Sequence, residues 1–125
     1  MNIEFTDICF ITNDVIRLRT FYESVFGGKA EGDEWHSTLR IGGLHMVFLL
    51  EKHSDFYYEY ADGMSNTILS FNVDDTDTAY QRLLSIDIKP HKEPTTHPWG
   101  ARSCQCKDPD GNILNFRSRP KEERT

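Results

Sequence analysis

The sequence lacks a long apolar run and a start typical of a secretory signal. No stretch approaches the roughly 18 apolar residues of a membrane span. The first residues, Met1-Asn2-Ile3-Glu4-Phe5, have no basic segment followed by an apolar core. Cysteine is scarce: Cys9, Cys104 and Cys106 are an odd number, and the last two are too close for an easy disulfide within one strand. These absences predict a cytoplasmic protein with reduced thiols and no membrane partner.

Runs of positive charge are also few. The net charge is −6, and Lys and Arg cluster only in the tail from Arg117 to Arg124, which mixes both signs. A nucleic-acid surface needs a basic patch, so no nucleic-acid partner is expected. There is no glycine-rich phosphate loop, no nucleophile elbow and no histidine pair at the spacing of a zinc site. The acidic balance favours a cationic small-molecule guest instead.

What the first half contains is a strand followed by an amphipathic helix. Residues Asp7 to Ile11 alternate and are β-prone, and Asn13-Asp14 reads as a helix cap. The apolar positions at helical spacing are Leu18, Phe21, Tyr22 and Val25. Gly27-Gly28 then ends the helix. Two β-prone runs, Trp35 to Ile41 and Leu44 to Leu50, complete the half.

The second half repeats this order after a shift of about sixty residues. Ile68 to Val73 reads as a strand and Asp74-Asp75 as a cap. The buried face of the helix is predicted to be Ala79, Leu83 and Ile86. The later β-prone runs are Ile88 to Lys92 with a Pro-rich link after it, Trp99 to Lys107, the turn Asp108-Pro109-Asp110-Gly111, and Ile113 to Arg117.

Together the two halves predict one α+β domain over residues 1–125, built from two βαβββ modules. Module 1 covers about residues 3–51 and module 2 about residues 66–118, with a solvated tail over residues 119–125. The segment Ser54 to Gly63 is predicted to be a loop or short helix that joins the modules.

Three motifs in this order resemble the vicinal-oxygen-chelate superfamily of glyoxalases, bleomycin-resistance proteins and extradiol dioxygenases. They are Phe21-Tyr22-Glu23-Ser24-Val25-Phe26-Gly27, Val73-Asp74-Asp75 and Asp108-Pro109-Asp110-Gly111-Asn112. The resemblance covers nearly the whole chain and implies two modules around a cleft. The run Pro98-Trp99-Gly100-Ala101-Arg102 resembles the bleomycin-resistance-like, metal-free branch. These motifs anchor a helix, cap a helix and form a turn, so the function has to be argued from the site.

Metal-dependent members of that superfamily bind a divalent ion through four side chains. The positions that match here are Asp7, about Val47, Ile68 and Asn115. Ile68 has no lone pair and Asn115 offers only a neutral amide oxygen, whereas His and Glu are the usual ligands. The sequence therefore predicts no metal and no cofactor. An improvised site from Asp7, His45 and Glu51 stays open as an alternative.

Strand alternation predicts which side chains line the cleft instead. If Asp7 points inward then so does Cys9, and the partner strands supply Ile68, Ser70 and Asn72, then Ile113, Asn115 and Arg117. Trp99 and Arg102 are added because an indole stacks on flat or cationic guests. The predicted ligand-binding residues are Asp7, Cys9, Ser70, Asn72, Trp99, Arg102 and Asn115. Three alternatives stay open. The barrel could be filled and have no ligand, Trp35 and Trp99 could pack in the core, and the thiols could be small buried hydrophobes.

Two functions follow from these observations. The first is a homodimeric protein that binds a small, aromatic or cationic molecule in a metal-free cleft. The second is a metal-dependent lyase, isomerase or dioxygenase with a divergent metal site. Metal content separates the two. No specific feature supports a third class, a protein–protein interaction module.

Overall fold

The structure, a computed structural model, describes residues 1–52 and 65–120. Its elements in chain order are β1 (Ile8–Thr12), α1 (Val15–Phe26), β2 (Glu31–Gly32), β3 (His36–Ile41), β4 (Leu44–Leu50), β5 (Ile68–Asn72), α2 (Thr76–Ser85), β6 (Pro90–Thr96), β7 (Arg102–Lys107) and β8 (Ile113–Ser118). The chain forms two compact units, unit 1 over residues 1–62 and unit 2 over residues 63–125. The predicted α+β class is confirmed.

Both units have the same topology. Unit 1 contains sheet 1, in the order β1-β4-β3-β2, and unit 2 contains sheet 2, in the order β5-β8-β7-β6. The first and last strands of each unit, β1 with β4 and β5 with β8, pair in parallel, and the remaining pairs are antiparallel. Two parallel strands must be joined by a crossover connection, and this connection contains α1 in unit 1 and α2 in unit 2. The two βαβββ modules are therefore present, although the two-residue β2 was not predicted.

The two helices begin in the same way. The Asp14 carboxylate accepts a hydrogen bond from the Arg17 backbone N–H at 3.0 Å, and the Asp75 carboxylate accepts one from the Thr78 N–H at 2.9 Å. Such side chains satisfy donors that the first helical turn leaves without an internal partner. Helix α1 ends at Gly27, whose φ of 77° suits glycine. Both caps and this stop match the sequence prediction.

The two helices differ in how much of the predicted apolar face is buried. In unit 1, Leu18 and Tyr22 are fully buried and Val25 nearly so. In unit 2 only Leu83 is buried, whereas Ala79 and Ile86 are half-buried. Ile86 is the C-cap residue of α2, so it lies at the end of the helix. The prediction of equal burial for the two helices was therefore wrong for these two residues.

A phenylalanine pair marks the repeat inside each core. Phe10 of β1 lies opposite Phe48 of β4 with ring centroids 5.9 Å apart, and Phe71 of β5 lies opposite Phe116 of β8 at 5.6 Å. The shift of about sixty residues that the sequence suggested relates Phe10 to Phe71. The same parallel register thus stacks one aromatic pair between the first and last strands of each unit.

Two strand boundaries differ from the prediction. The Pro-rich link after Lys92 belongs to β6, which continues to Thr96 and pairs with β7 with two register shifts. Proline is tolerated there because β6 is an edge strand of sheet 2. Strand β7 begins at Arg102, so Trp99 lies in the turn before it. The predicted joining segment Ser54 to Gly63 lies outside the described residues.

None of the helices in the described part of the chain is long and apolar enough to span a membrane.

Candidate functional site

Sheet 2 has one face toward α2 and one open face. Along β8 the side chains of Leu114, Phe116 and Ser118 are buried, and the alternate residues Ile113, Asn115 and Arg117 are half-buried or exposed. The register places Ile68, Ser70 and Asn72 of β5 beside these three in turn. The open face of sheet 2 therefore carries the residues that alternation predicted.

A groove of about 480 Å³ lies on this open face. The described residues that line it belong to unit 2; they are Ser70, Lys92, Glu93, Thr95, His97, Trp99, Ala101, Ser103, Gln105, Asn115 and Arg117. Its size falls in the range of roughly 300–1,000 Å³ that is typical of small-molecule pockets. We call this feature the groove.

A row of polar side chains crosses the floor of the groove. The Gln105 amide N–H donates to Asn115 Oδ1 at 3.1 Å, and the Asn115 amide N–H donates to Ser70 Oγ at 3.3 Å. The three residues come from β7, β8 and β5, which are neighbours in sheet 2. The row fixes the orientation of the two amides and leaves hydrogen-bonding capacity for a guest, since each amide has two donors and two acceptor lone pairs.

An aromatic pair forms a second part of the lining. The His97 and Trp99 rings are stacked almost parallel, with centroids 4.7 Å apart and 9° between the planes. His97 Nε2 is 2.7 Å from Ser103 Oγ, which holds the imidazole in place. Trp99 is 70% exposed, so it is not a core residue and its indole is accessible.

The turn that carries Trp99 is closed by its backbone. The His97 N–H donates to the Ala101 carbonyl at 2.8 Å, and the Gly100 N–H donates to the His97 carbonyl at 2.9 Å. Gly100 has a φ of 98°, which side chains rarely tolerate, and a Cβ there would lie 3.0 Å from the Pro120 ring. The positive φ and the close approach of Pro120 therefore both require glycine at this position of the turn.

Arg102 lies on the opposite face of sheet 2 and does not line the groove. Its Nε and Nη2 donate to the two Asp77 oxygens at 2.8 and 2.9 Å, and its Nη1 donates to Thr96 Oγ1 at 3.0 Å. The hydrogen bonds from Arg102 hold the pKa of Asp77 below its usual value, and Asp77 raises that of Arg102. The expected contact from Arg102 to a ligand is replaced by this bidentate link to α2, because alternation places Arg102 with the buried Cys104 and Cys106.

The other predicted site residues are distributed over both units. Ser70, Trp99 and Asn115 line the groove. Asn72 lies on the same open face of sheet 2 but is not among the residues that line the groove. Asp7 and Cys9 belong to unit 1, where Asp7 is half-buried and Cys9 is exposed on β1. Asp7 accepts a hydrogen bond from Thr6 Oγ1 at 3.1 Å.

None of the three thiols has the low pKa of a nucleophile. Burial raises the pKa of Cys104 to about 11 and that of Cys106 to about 12. Partial desolvation raises the pKa of the Cys9 thiol, and the nearby Asp7 carboxylate raises it further. A nucleophilic cysteine needs a stabilised thiolate, which these surroundings oppose. Cys104 and Cys106 are the small buried hydrophobes that the sequence suggested.

The residues at the family's metal positions do not fit a divalent ion. Ile68 has no donor atom, and Asn115 offers only a neutral amide oxygen, which already accepts a hydrogen bond from Gln105. Within residues 1–52 and 65–120, no three His, Cys, Asp or Glu side chains converge as metal ligands would, so Asp7, His45 and Glu51 form no such group. The donor set favours neutral hydrogen bonding over metal binding.

Sequence reasoning missed several residues of the groove, among them His97, Ser103 and Gln105. Strand alternation could have identified Ser103 and Gln105, because they alternate along β7 with the buried Cys104 and Cys106. His97 had no such signal. Its position depends on the closed turn between β6 and β7, which sequence spacing does not determine.

Two repeated βαβββ units with a groove on an open sheet face define a class of α+β proteins built from paired modules. The profile of the Glyoxalase/Bleomycin resistance protein/Dioxygenase superfamily matches residues 5–116. The chain belongs to this superfamily, as its motifs indicated. No curated protein sequence matches the chain.

Solved structures of the same superfamily share the fold. A glyoxalase/bleomycin resistance protein/dioxygenase from Nocardioides is 19% identical with a TM-score of 0.80, over 97% of this chain and 86% of that one. The fosfomycin resistance protein FosX from Listeria monocytogenes is 18% identical with a TM-score of 0.74 over 100% of both chains. A lactoylglutathione lyase from Agrobacterium tumefaciens is 17% identical with a TM-score of 0.72 over 92% of both. At these identities the likeness concerns the fold alone.

Proposed function

We propose that this protein binds a small molecule with a flat, aromatic part in the groove, without a metal. The observation that carries the proposal is the combination, in one groove of about 480 Å³, of an accessible indole and an ordered row of amides. Small-molecule sites commonly join a flat apolar surface to a few placed polar groups. Ser70, Trp99 and Asn115 of the predicted set contact the guest directly in this proposal. Asp7, Cys9 and Asn72 stay predictions of the sequence.

The first test replaces Trp99 by alanine. Stacking on an indole contributes on the order of 1 kcal/mol, so binding is expected to weaken about fivefold. Ligands are first identified by fluorescence titration of the Trp35→Phe protein, in which Trp99 is the only indole, against neutral aromatics, aromatic cations and glycopeptide-like drugs. Calorimetry then compares the affinities of wild-type protein and Trp99→Ala.

Trp35→Ala is the matched control, because Trp35 is also exposed but lies in unit 1. It should leave the affinity unchanged. Equal binding to wild-type protein and Trp99→Ala would show that the indole is not the stacking surface. If none of the compounds binds at millimolar concentration, the proposal that the groove binds an aromatic molecule is wrong.

The alternative is an enzyme of the same superfamily, and one relative's name, lactoylglutathione lyase, supports it. Its metal-dependent form requires a divalent ion near Asp7. From the donor set above we expect protein purified without chelator to contain well under one equivalent of zinc, nickel, manganese or iron. Elemental analysis measures this. A stoichiometric metal that is lost on Asp7→Ala would replace the binding function by the enzymatic one.

We also propose that the protein is a cytoplasmic homodimer, since two-fold dimers are the commonest soluble assemblies. Light scattering at high micromolar concentration distinguishes the dimer from the 14.5 kDa monomer.

A further inference from the structure

The charges of the groove differ in sign from the net charge of the chain. The whole sequence carries −6, which by itself favours a cationic guest. The described lining of the groove includes two basic side chains, Lys92 and Arg117, and one carboxylate, Glu93. A ligand responds most strongly to the charges within a few ångströms, because more distant exposed charges are screened by salt.

Arg117 lies on an inner strand of sheet 2, and both of its cross-strand neighbours are uncharged. The register pairs Arg117 with Asn72 on β5 and with Ser103 on β7. Cross-strand positions are where a sheet commonly places an opposite charge. Among the described residues no carboxylate forms an ion pair with Arg117 or Lys92, and Glu93 lies on β6, two strands from Arg117. Within the part of the chain that the structure describes, the Arg117 guanidinium therefore lines the groove without forming an ion pair.

The other arginine of this module shows the contrast. Arg102 is held by both oxygens of Asp77, with Nε and Nη2 at 2.8 and 2.9 Å. A guanidinium presents a planar fork of N–H donors that matches a carboxylate in this two-point manner. Arg117 has the same fork and is exposed. A carboxylate ligand would give Arg117 the two acceptor oxygens that Asp77 gives Arg102.

Arg117 also lies close to the stacking surface. Its cross-strand neighbour Ser103 is 2.7 Å from His97 Nε2, and the His97 ring is stacked on Trp99 at 4.7 Å. Directly opposed residues in an antiparallel pair have Cβ atoms about 5 Å apart. The guanidinium and the indole thus line the same groove, together with the Gln105–Asn115–Ser70 row.

From these contacts we infer that the ligand of the groove is a planar carboxylate, whose ring lies against the His97–Trp99 pair and whose acidic group is bound by the Arg117 guanidinium. This inference rests on the proposed function and specifies its ligand class. It reverses the sign of charge that the sequence favoured.

The experiment uses the full chain and three probes that share one ring system: 2-naphthoate, 2-naphthamide and 2-naphthylmethylammonium. Calorimetry measures each affinity for wild-type protein and for Arg117→Gln. Charge-assisted hydrogen bonds are stronger than neutral ones, so 2-naphthoate should bind about tenfold more tightly than 2-naphthamide, and the cation most weakly. Arg117→Gln should lower the affinity for 2-naphthoate to that for 2-naphthamide and leave the latter unchanged.

Arg40→Gln is the matched control, because Arg40 is an exposed arginine on β3 of unit 1 and its loss changes the net charge equally. It should preserve the tenfold preference. The fourth probe, 2-naphthyl phosphate, distinguishes the source of the negative charge: binding tighter than 2-naphthoate would assign a phosphate rather than a carboxylate to the site and overturn that part of the inference.

Failure of the inference can be distinguished from failure of the proposed function. Equal binding of all three probes that is weakened by Trp99→Ala would overturn the planar carboxylate and leave the aromatic site standing. An anion preference that survives Arg117→Gln would also overturn the inference. If none of the probes or the compounds tested above binds at millimolar concentration, the inference and the proposed function both fall.

Discussion

Replacing Tyr22 by alanine is expected to lower the free energy of unfolding by about 3–5 kcal/mol. Tyr22 of α1 is fully buried, and its ring contacts four others with centroid distances from 5.3 to 6.2 Å. These rings belong to Phe10, Phe21, Phe26 and Phe48. Truncation leaves a cavity among rigid aromatic side chains that can only partly close, so both transfer free energy and packing are lost.

Urea unfolding followed by circular dichroism measures this loss. Tyr22→Phe keeps the ring and should retain most of the stability, and Thr20→Ala changes an exposed position on the same helix. Thr20→Ala should change the free energy of unfolding by less than about 0.5 kcal/mol. A Tyr22→Ala protein as stable as Thr20→Ala would show that the aromatic cluster does not hold unit 1 together.

The second large effect is expected at Asp108, the first residue of the turn before β8. Asp108 is 4% exposed, and both oxygens of its carboxylate accept hydrogen bonds within the turn. Oδ1 accepts from the backbone N–H groups of Asp110 and Asn112 at 2.9 and 3.0 Å, and Oδ2 accepts from the Asn112 amide at 2.8 Å. Asp108→Ala leaves these donors without their acceptor and should cost about 3 kcal/mol.

Fluorescence of Trp99 in a Trp35→Phe background reports this loss from unit 2. Pro109→Ala is the control at the neighbouring exposed position, and we expect it to change stability by less than about 1 kcal/mol. Asp108→Asn keeps one acceptor oxygen and should fall between the two. Equal effects of Asp108→Ala and Pro109→Ala would contradict the account, because the turn would then not depend on the carboxylate.

The fold could be predicted from the sequence because its signals are local. Asp14 and Asp75 cap helices through bonds that span three residues, and Gly27 ends a helix through its own φ. The turn that begins at Asp108 likewise depends on bonds within four residues. Alternation then predicted which residues of β5 and β8 share the open face of sheet 2.

Sequence reasoning was less successful where an element is short or lies at an edge. Strand β2 has only two residues, too few for a periodic pattern. In β6 the prolines indicated a link, but an edge strand needs backbone hydrogen bonds on one side only.

Only the tertiary structure decided which arginine faces the groove. Arg102 and Arg117 are both polar residues in β-prone runs, and the sequence selected Arg102 for its place near Trp99. Strand β7 begins at Arg102 itself, so its alternation turns Arg102 toward Asp77 of α2, a residue 25 positions earlier in the chain. Arg117 faces the groove because it alternates with the buried Phe116 and Ser118 along β8, and its neighbours across the sheet, Asn72 and Ser103, are uncharged.

The sequence by itself determined the two-module fold, the caps and the chemical types available to the open face, since each follows from spacing and backbone preference. The charge that a ligand meets was decided by tertiary pairing. Net charge is a sum over the whole chain, whereas binding depends on the few groups that the sheet register and the turn around Trp99 bring within reach of one small molecule.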